Sequence, residues 1–182
     1  MKAEVKATYP GLDALASGLS LETPRLLLRQ FEERDVDALA AMYADPGMMQ
    51  FLGTGSTFSR DETWRAISGM LGHWLMRGYG MWAVEERETG FMVGRVGFIN
   101  PAGWPGFELG WVIDRKRWGR GYAPEAAAVA LTYAKDVLRQ QRVISLIRPG
   151  NAASIRVAEK IGERREGSVQ LFDRESLIYA SS

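Results

Sequence analysis

An apolar, strand-like run from Phe107 to Ile113 gives way within a few residues to Trp118-Gly119-Arg120-Gly121-Tyr122-Ala123-Pro124-Glu125, which opens a helix-like run reaching about Gln140. This passage from strand through glycine loop to helix limits the fold more than any other stretch. Two glycines permit a tight turn and let main chain approach a ligand with no Cβ between them. Pro124 suits a first helical turn, where its missing N–H removes no hydrogen bond. A helix begun this way aims free amides and a partial positive charge at the loop, an arrangement that binds phosphate. The passage is either a phosphate cradle or a tight connection whose glycines serve only the turn.

Spacing narrows the first reading. A Walker loop needs Gly, four residues, then Gly-Lys-Ser/Thr, and nothing in the chain fits. A dinucleotide fingerprint needs a third glycine where Pro124 stands and an acid closing the next strand. The next apolar run, Val143 to Ile147, ends in Arg148-Pro149-Gly150. A loop that holds a pyrophosphate by backbone amides remains.

Charge bears on the partner. Lys+Arg 23 against Asp+Glu 22 leaves +1, so no whole-protein field favours nucleic acid or anionic lipid. Arg115-Lys116-Arg117, with Arg120, is a local basic run. It reads as a nucleic-acid patch, as phosphate contacts beside the loop, or as a solvated turn. The chain has no cysteine, which excludes a thiol nucleophile, a thiolate metal site and disulfides. The lone His73 cannot complete a histidine metal cluster, and its setting is that of a packed or surface helix residue. No apolar run approaches membrane-spanning length and no signal-peptide core is present, so a cytoplasmic enzyme without a metal is expected.

The order of elements is α+β. Arg25 to Arg29 predicts a strand, and Glu33 to Ala44 a helix with Val36, Leu39, Ala40 and Tyr43 on one face. Asp45-Pro46-Gly47 stops it. Ser59-Arg60-Asp61-Glu62 matches a capping box and starts a helix through about Met76. Met81 to Glu86 and Phe91 to Ile99 read as strands joined at Glu88-Thr89-Gly90. The strand 107–113 places Phe107, Leu109 and Trp111 on one face and Glu108, Gly110 and Val112 on the other. A helix over 123–140, a strand over 143–147, a helix over 151–161 and strands near 163–171 and 175–180 follow. Residues 1–20 read as an N-terminal extension with a short helical turn around Leu12 to Ala16, and 21–182 as a single domain.

Three blocks carry a family resemblance. Trp118-Gly119-x-Gly121-Tyr122-Ala123-x-Glu125-Ala126 resembles the acetyl-CoA loop of the GNAT superfamily of N-acetyltransferases. Asn151-Ala152-Ala153-Ser154-Ile155-Arg156-Val157-Ala158-Glu159-Lys160-Ile161-Gly162 is similar to a helix of the branch that resembles ribosomal-protein N-terminal (alanine) acetyltransferases. Glu22-Thr23-Pro24-Arg25-Leu26-Leu27-Leu28-Arg29 resembles that branch's opening strand. The blocks stand in family order over about Leu21 to Tyr179.

The resemblance implies a mixed, mostly antiparallel sheet with splayed central parallel strands, flanked by about four helices. It implies acetyl-CoA as cosubstrate. Its arm would lie against the backbone of Trp111, Val112 and Ile113, and its pyrophosphate against Trp118, Gly119, Arg120, Gly121, Tyr122 and Ala123, chiefly through main chain. Asn151 and Ser154 would complete the cofactor site, and homodimers are a family expectation.

Acetyl transfer needs a neutral amine, a polarised thioester and a protonated leaving thiol. An α-amine with pKa about 8 costs roughly 1 kcal/mol to deprotonate at pH 7, a lysine roughly 4 to 5. Glu108, in an apolar strand, is the candidate general base, or else a satisfied ion-pair partner. The tyrosine that serves many GNAT enzymes as acid is replaced by Ala158. Ser154 could meet the sulfur instead, or bond to its own backbone. Asn151 suits a helix cap. Trp118 and Glu163 also depart from the common pattern. In this fold the acceptor would meet Met48 to Leu52, Trp74, Trp82 and the tail around Gln170 to Arg174, with Phe98 and Trp104 adding aromatic surface; methionines and aromatics there form either a protein-binding groove or, more often, ordinary core. A near-neutral, apolar rim favours a peptide N-terminus or a small amine. The readings are therefore an N-acetyltransferase, a silent coenzyme A-binding module acting as sensor or scaffold, and a nucleic-acid-binding domain.

Overall fold

The structure, a computed structural model, describes residues 18–181. The helical turn expected around residues 12–16 lies outside the described residues, as does most of the extension. One eight-stranded sheet runs β1 (Leu21–Glu22), β2 (Leu26–Arg29), β3 (Met81–Glu86), β4 (Phe91–Ile99), β5 (Glu108–Ile113), β6 (Val143–Ile147), then β8 (Arg174–Ser181) and β7 (Arg164–Leu171). Every neighbouring pair is antiparallel except β5 and β6, which are parallel. Five α-helices flank it: α1 (Val36–Tyr43), α2 (Pro46–Met49), α3 (Arg60–Arg77), α4 (Tyr122–Asp136) and α5 (Ala152–Lys160).

Both faces of the central strands are covered, which is why Met81 to Val84 and Met92 to Val93 read as unbroken apolar runs rather than alternating ones. On one face α4 lays Ala126, Ala127, Ala130 and Ala134, all fully buried, against the sheet. Four alanines let the helix come close, so the large side chains there, Trp82, Phe98 and Leu109, belong to the strands. On the other face α1 and α3 supply Leu39, Met42, Tyr43 and Ile67 against Met81, Ala83 and Val112.

Local signals explain most element ends. Ser59 and Glu62 form the expected capping box, with Glu62 Oε2 accepting from the Ser59 amide at 2.7 Å. Asp45 ends the first helix and starts α2, its Oδ1 accepting from Gly47 N–H at 2.7 Å. Two expectations need correction. The strand over 25–29 is preceded by the short β1, and the helix expected to reach Gln140 stops at Asp136. Gln140 N–H closes onto the Ala134 carbonyl at 3.0 Å while Arg139 takes φ 56°. The chain leaves the helix through this left-handed residue, an arginine where glycine is usual, so no stop signal was visible in the residue types.

Candidate active site

The splay of the two parallel strands makes the site. β5 and β6 pair at Glu108 and Ile144, where Ile144 N–H donates to the Phe107 carbonyl at 2.9 Å. One step on, Ser145 Oγ donates to the Leu109 carbonyl at 2.8 Å, replacing a backbone bond. Carbonyls of alternate residues on a strand point the same way, so the backbone of Trp111 and Ile113 also turns to the gap. That of Val112 turns to β4, opposite Arg95. The Ile113 carbonyl is already taken by Trp118 Nε1 at 2.7 Å. Trp111 therefore offers the freest backbone of the three.

The gap opens into a cavity of about 580 Å³ between the glycine loop and the start of α5. Gly119 and Gly121 hold φ 77° and 80°, a left-handed conformation that side chains rarely adopt. Gly121 is the N-cap of α4, and no side chain caps that end. The amides of Tyr122 and Ala123 thus face the cavity with the positive end of the helix behind them. A Cβ on Gly119 would meet nothing within 4 Å, so the space beside it is open. Arg115, Arg117, Arg156 and Lys160 line the same cavity. This donor set suits a diphosphate.

The loop is braced from behind by polar groups that the sequence did not announce. Buried Glu86 accepts from Tyr122 Oη at 2.6 Å, Thr89 Oγ1 at 2.8 Å and Arg117 Nη2 at 3.2 Å. The Tyr122 hydroxyl above all holds its carboxyl below the usual range. Arg25 clasps Glu125 at 2.5 Å and donates to the Arg120 carbonyl at 2.8 Å. The Arg120 guanidinium lies 3.8 Å from Glu86 and does not line the cavity; neither does Lys116. Two of the four cations in the basic run are thus directed at an internal carboxylate.

A second cavity, about 250 Å³, adjoins the first, and both are lined by Trp111, Asn151 and Ser154. Glu108 stands in it, buried, with Trp104 Nε1 donating to its Oε2 at 2.5 Å. Burial pushes its carboxyl up to about 7, opposed by the Trp104 indole and by the charge of Arg95. Among the described residues no ion pair consumes it. The Asn151 side chain caps α5 by accepting from Ser154 N–H at 3.1 Å. The Ser154 hydroxyl makes no hydrogen bond to its own backbone and lines both cavities. Ala158 is fully buried against Ile147, Leu177 and Tyr179, and its own side chain offers no proton.

Other expected residues are redistributed. Trp74, Trp82 and Phe98 are fully buried in the core and line neither cavity, because each packs edge-on to another ring within the sheet–helix layer. Met49 is core, Met48 faces the first cavity, and Phe51 and Leu52 border both. From the tail, Leu171 and Phe172 reach the second cavity. Phe172 and Asp173 form a two-residue turn with φ 54° and 56°, the geometry a tight hairpin demands. His73 is packed: Asn100 N–H donates to its Nε2 at 3.2 Å, and its Nδ1 meets the Tyr79 carbonyl at 2.8 Å. Glu163, buried, accepts from Ser145 Oγ at 3.1 Å, and burial pushes it too up to about 7. Among the described residues no three acids or histidines gather as a metal site, and no helix is long and apolar enough to cross a membrane.

Comparison with known proteins places this geometry. Residues 25–164 match the acetyltransferase (GNAT) domain family. The uncharacterized N-acetyltransferase YnaD of Bacillus subtilis is 30% identical over 149 residues, covering 82% of this chain and 85% of that one. The acetyltransferase of Agrobacterium tumefaciens str. C58 superposes with a TM-score of 0.81 at 28% identity, covering 100% and 99% of the two chains. RimL, a ribosomal L7/L12 alpha-N-protein acetyltransferase solved with coenzyme A, shares the fold at a TM-score of 0.73 and 23% identity over 87% and 94%.

Proposed function

The chain belongs to the acetyltransferase (GNAT) domain family, and from that premise we propose that it transfers acetyl from acetyl-CoA directly to a primary amine. One observation carries the reading. A buried carboxyl poised near neutrality and an unbonded serine hydroxyl share a cavity that continues into the cradle of free amides.

When bound, acetyl-CoA supplies the activated thioester. The amides of Tyr122 and Ala123, with Arg115 and Arg156, suit its diphosphate, and the Trp111 backbone suits its arm. Glu108 then has the geometry of a general base. With a pKa near 7 it is substantially ionised at neutral pH yet basic enough to accept a proton from an ammonium. For an α-amine the remaining cost is roughly 1 kcal/mol. Trp104 holds the carboxylate in place through its indole N–H. Ser154 Oγ, with no internal partner, is placed to donate a hydrogen bond to the departing sulfur in the role Ala158 cannot fill. Holding amine and thioester together in adjoining cavities contributes more than either side chain.

RimL acts on a protein α-amine, which makes peptides with free N-termini one arm of the test. Small amines are the other. The experiment is thiol release from acetyl-CoA across both arms. Turnover with an amine sustains the reading. Coenzyme bound with no turnover above background on any amine replaces it with a coenzyme A-binding module, the alternative that the alanine at 158 favours. The direction of Arg117 and Arg120 towards Glu86 counts against a nucleic-acid surface.

A further inference from the structure

The second cavity is charged in a way its apolar rim conceals. Two guanidiniums, Arg95 and Arg148, line it against the single carboxyl of Glu108, and neither lines the coenzyme cavity. Arg148 is spent on structure. Its Nη1 donates to the carbonyls of Leu171, Arg174 and Glu175 and to Ser176 Oγ, and its Nη2 donates to the Gly53 carbonyl at 2.7 Å. Arg95 is not. Its Nε donates to Tyr43 Oη and its Nη1 to Met81 Sδ at 3.5 Å, both neutral acceptors. Among the described residues no carboxylate stands within ion-pair distance of it.

A partly buried guanidinium with donors to spare is costly to keep without an anion. Its place on the sheet suggests what the anion does. Arg95 pairs with Val112, and Glu108 with Ile99, so both side chains stand on the same face, about four residues apart along β5. Between them Gly97 faces Gly110: the Gly80 carbonyl packs on Gly97, while a Cβ on Gly110 would stand 3.5 Å from Met81 Cε and 3.8 Å from Glu108 Oε1. The backbones of Arg95 and Glu108 are therefore roughly 13 Å apart, and their long side chains narrow that span to the size of a small molecule. The cavity volume of about 250 Å³ is below the roughly 300–1,000 Å³ usual for drug-sized ligands.

We propose that the amine acceptor is an amino-acid-sized molecule carrying a carboxylate, and that Arg95 binds that carboxylate while the amine lies at Glu108. This rests on reading the second cavity as the acceptor site. Arg95 is then a specificity-determining residue. A planar guanidinium matches a carboxylate in two hydrogen bonds, which an ammonium cannot reproduce.

The test pairs each acceptor with its carboxamide: the common amino acids, β-alanine and 4-aminobutyrate, each beside the corresponding amide. In the wild-type protein the best carboxylate should exceed its amide in kcat/KM by about ten- to a hundredfold, the range expected of a charge-assisted pair. Arg95→Met, assayed at about pH 9 so that Glu108 is ionised with or without the opposing charge of Arg95, should erase that preference by raising KM for the carboxylate, leave the amides within about twofold, and leave acetyl-CoA affinity unchanged. Arg95→Lys should restore part of it. Equal or better turnover of the amides, or an equal loss for both in Arg95→Met, overturns the proposal. The same panel is also scored by thermal shift of the coenzyme A-bound protein, which needs no turnover. Stabilisation by carboxylates that vanishes in Arg95→Met sustains the proposal even where the transfer reading fails; no stabilisation by any carboxylate rejects it.

Discussion

The two cavities share Trp111, Asn151 and Ser154, yet they are made of different material. The side proposed for the coenzyme is chiefly main chain beside a rim of cations: amides at the start of α4, a bare strand edge, and glycines at positive φ. The side proposed for the acceptor is side chain: Arg95, Trp104, Glu108 and Phe172, drawn from two strands and two turns. A main-chain site tolerates change in residue type everywhere except where backbone shape depends on it. A side-chain site keeps its shape under substitution and changes its chemistry. The same kind of mutation should therefore have opposite signatures on the two sides, affinity for coenzyme on one and rate or acceptor choice on the other.

The largest effect is expected at Gly121. At φ 80° a side chain is strained by about 1–2 kcal/mol, and an aspartate there adds a negative charge beside the diphosphate. Arg25, whose Nη2 is 3.5 Å from the new Cβ position, is already engaged by Glu125 and would not neutralise it. Gly121→Asp should weaken acetyl-CoA binding about a hundredfold by calorimetry; unchanged affinity would remove the loop from the coenzyme site. Glu108→Gln should do the reverse, leaving coenzyme affinity alone and lowering kcat/KM about a hundredfold at pH 8. Because the Glu108 carboxyl ionises at about 7, wild-type activity should climb as pH rises through that value, and the gap to the variant should close below about pH 6. A variant with the wild-type pH profile would mean that another group is the base.

The contrast also explains what was legible in the sequence. Glycine positions, a proline at the helix start and Asn151 three residues before Ser154 are local patterns, so the loop and the α5 cap could be read from the chain, while the splay of the sheet came only with the family resemblance. Glu108 was legible because it interrupts an apolar strand. Arg95 was not, because nothing near it in sequence marks it; its meaning comes from Tyr43, Met81 and the paired Gly97 and Gly110, brought together only by the sheet register. Glu86 was hidden for the same reason, an acid at a strand end whose partners lie 3 to 36 residues away. Trp74, Trp82 and Phe98 were open to two readings, groove or ordinary core, and close helix packing through alanines makes them core.

Ser154 lies on the seam between the cavities and tests whether the division is sharp. Its hydroxyl has no role in the cap, which uses its amide. Ser154→Ala should lower kcat by up to about tenfold, the worth of one hydrogen bond, with helix content and acetyl-CoA affinity unchanged. A loss confined to affinity would assign Ser154 to the coenzyme side.

The smallest effect is expected behind the seam, at Glu163, which touches neither ligand site. One oxygen accepts from Ser145 and the other is buried without a hydrogen-bond partner. Its folded pKa is raised from 4.5 to about 7, chiefly by burial. Its contribution to stability is therefore full below about pH 4.5 and is lost as pH rises through 7, since the folded state holds the proton that the unfolded state gives up. Glu163→Met keeps the volume and removes the ionisation, and Ser145 retains the Leu109 carbonyl as acceptor. The variant should melt higher than wild type at pH 8, by about 1–2 kcal/mol or roughly 3–6 °C, with the difference fading towards pH 5. The charge on Glu108 also raises the Glu163 carboxyl, and two interacting carboxyls titrate as a pair, so the same variant should move the rise in activity to lower pH without changing its plateau. If melting shifts and the activity profile does not, the two carboxyls are uncoupled and Glu163 is structural alone.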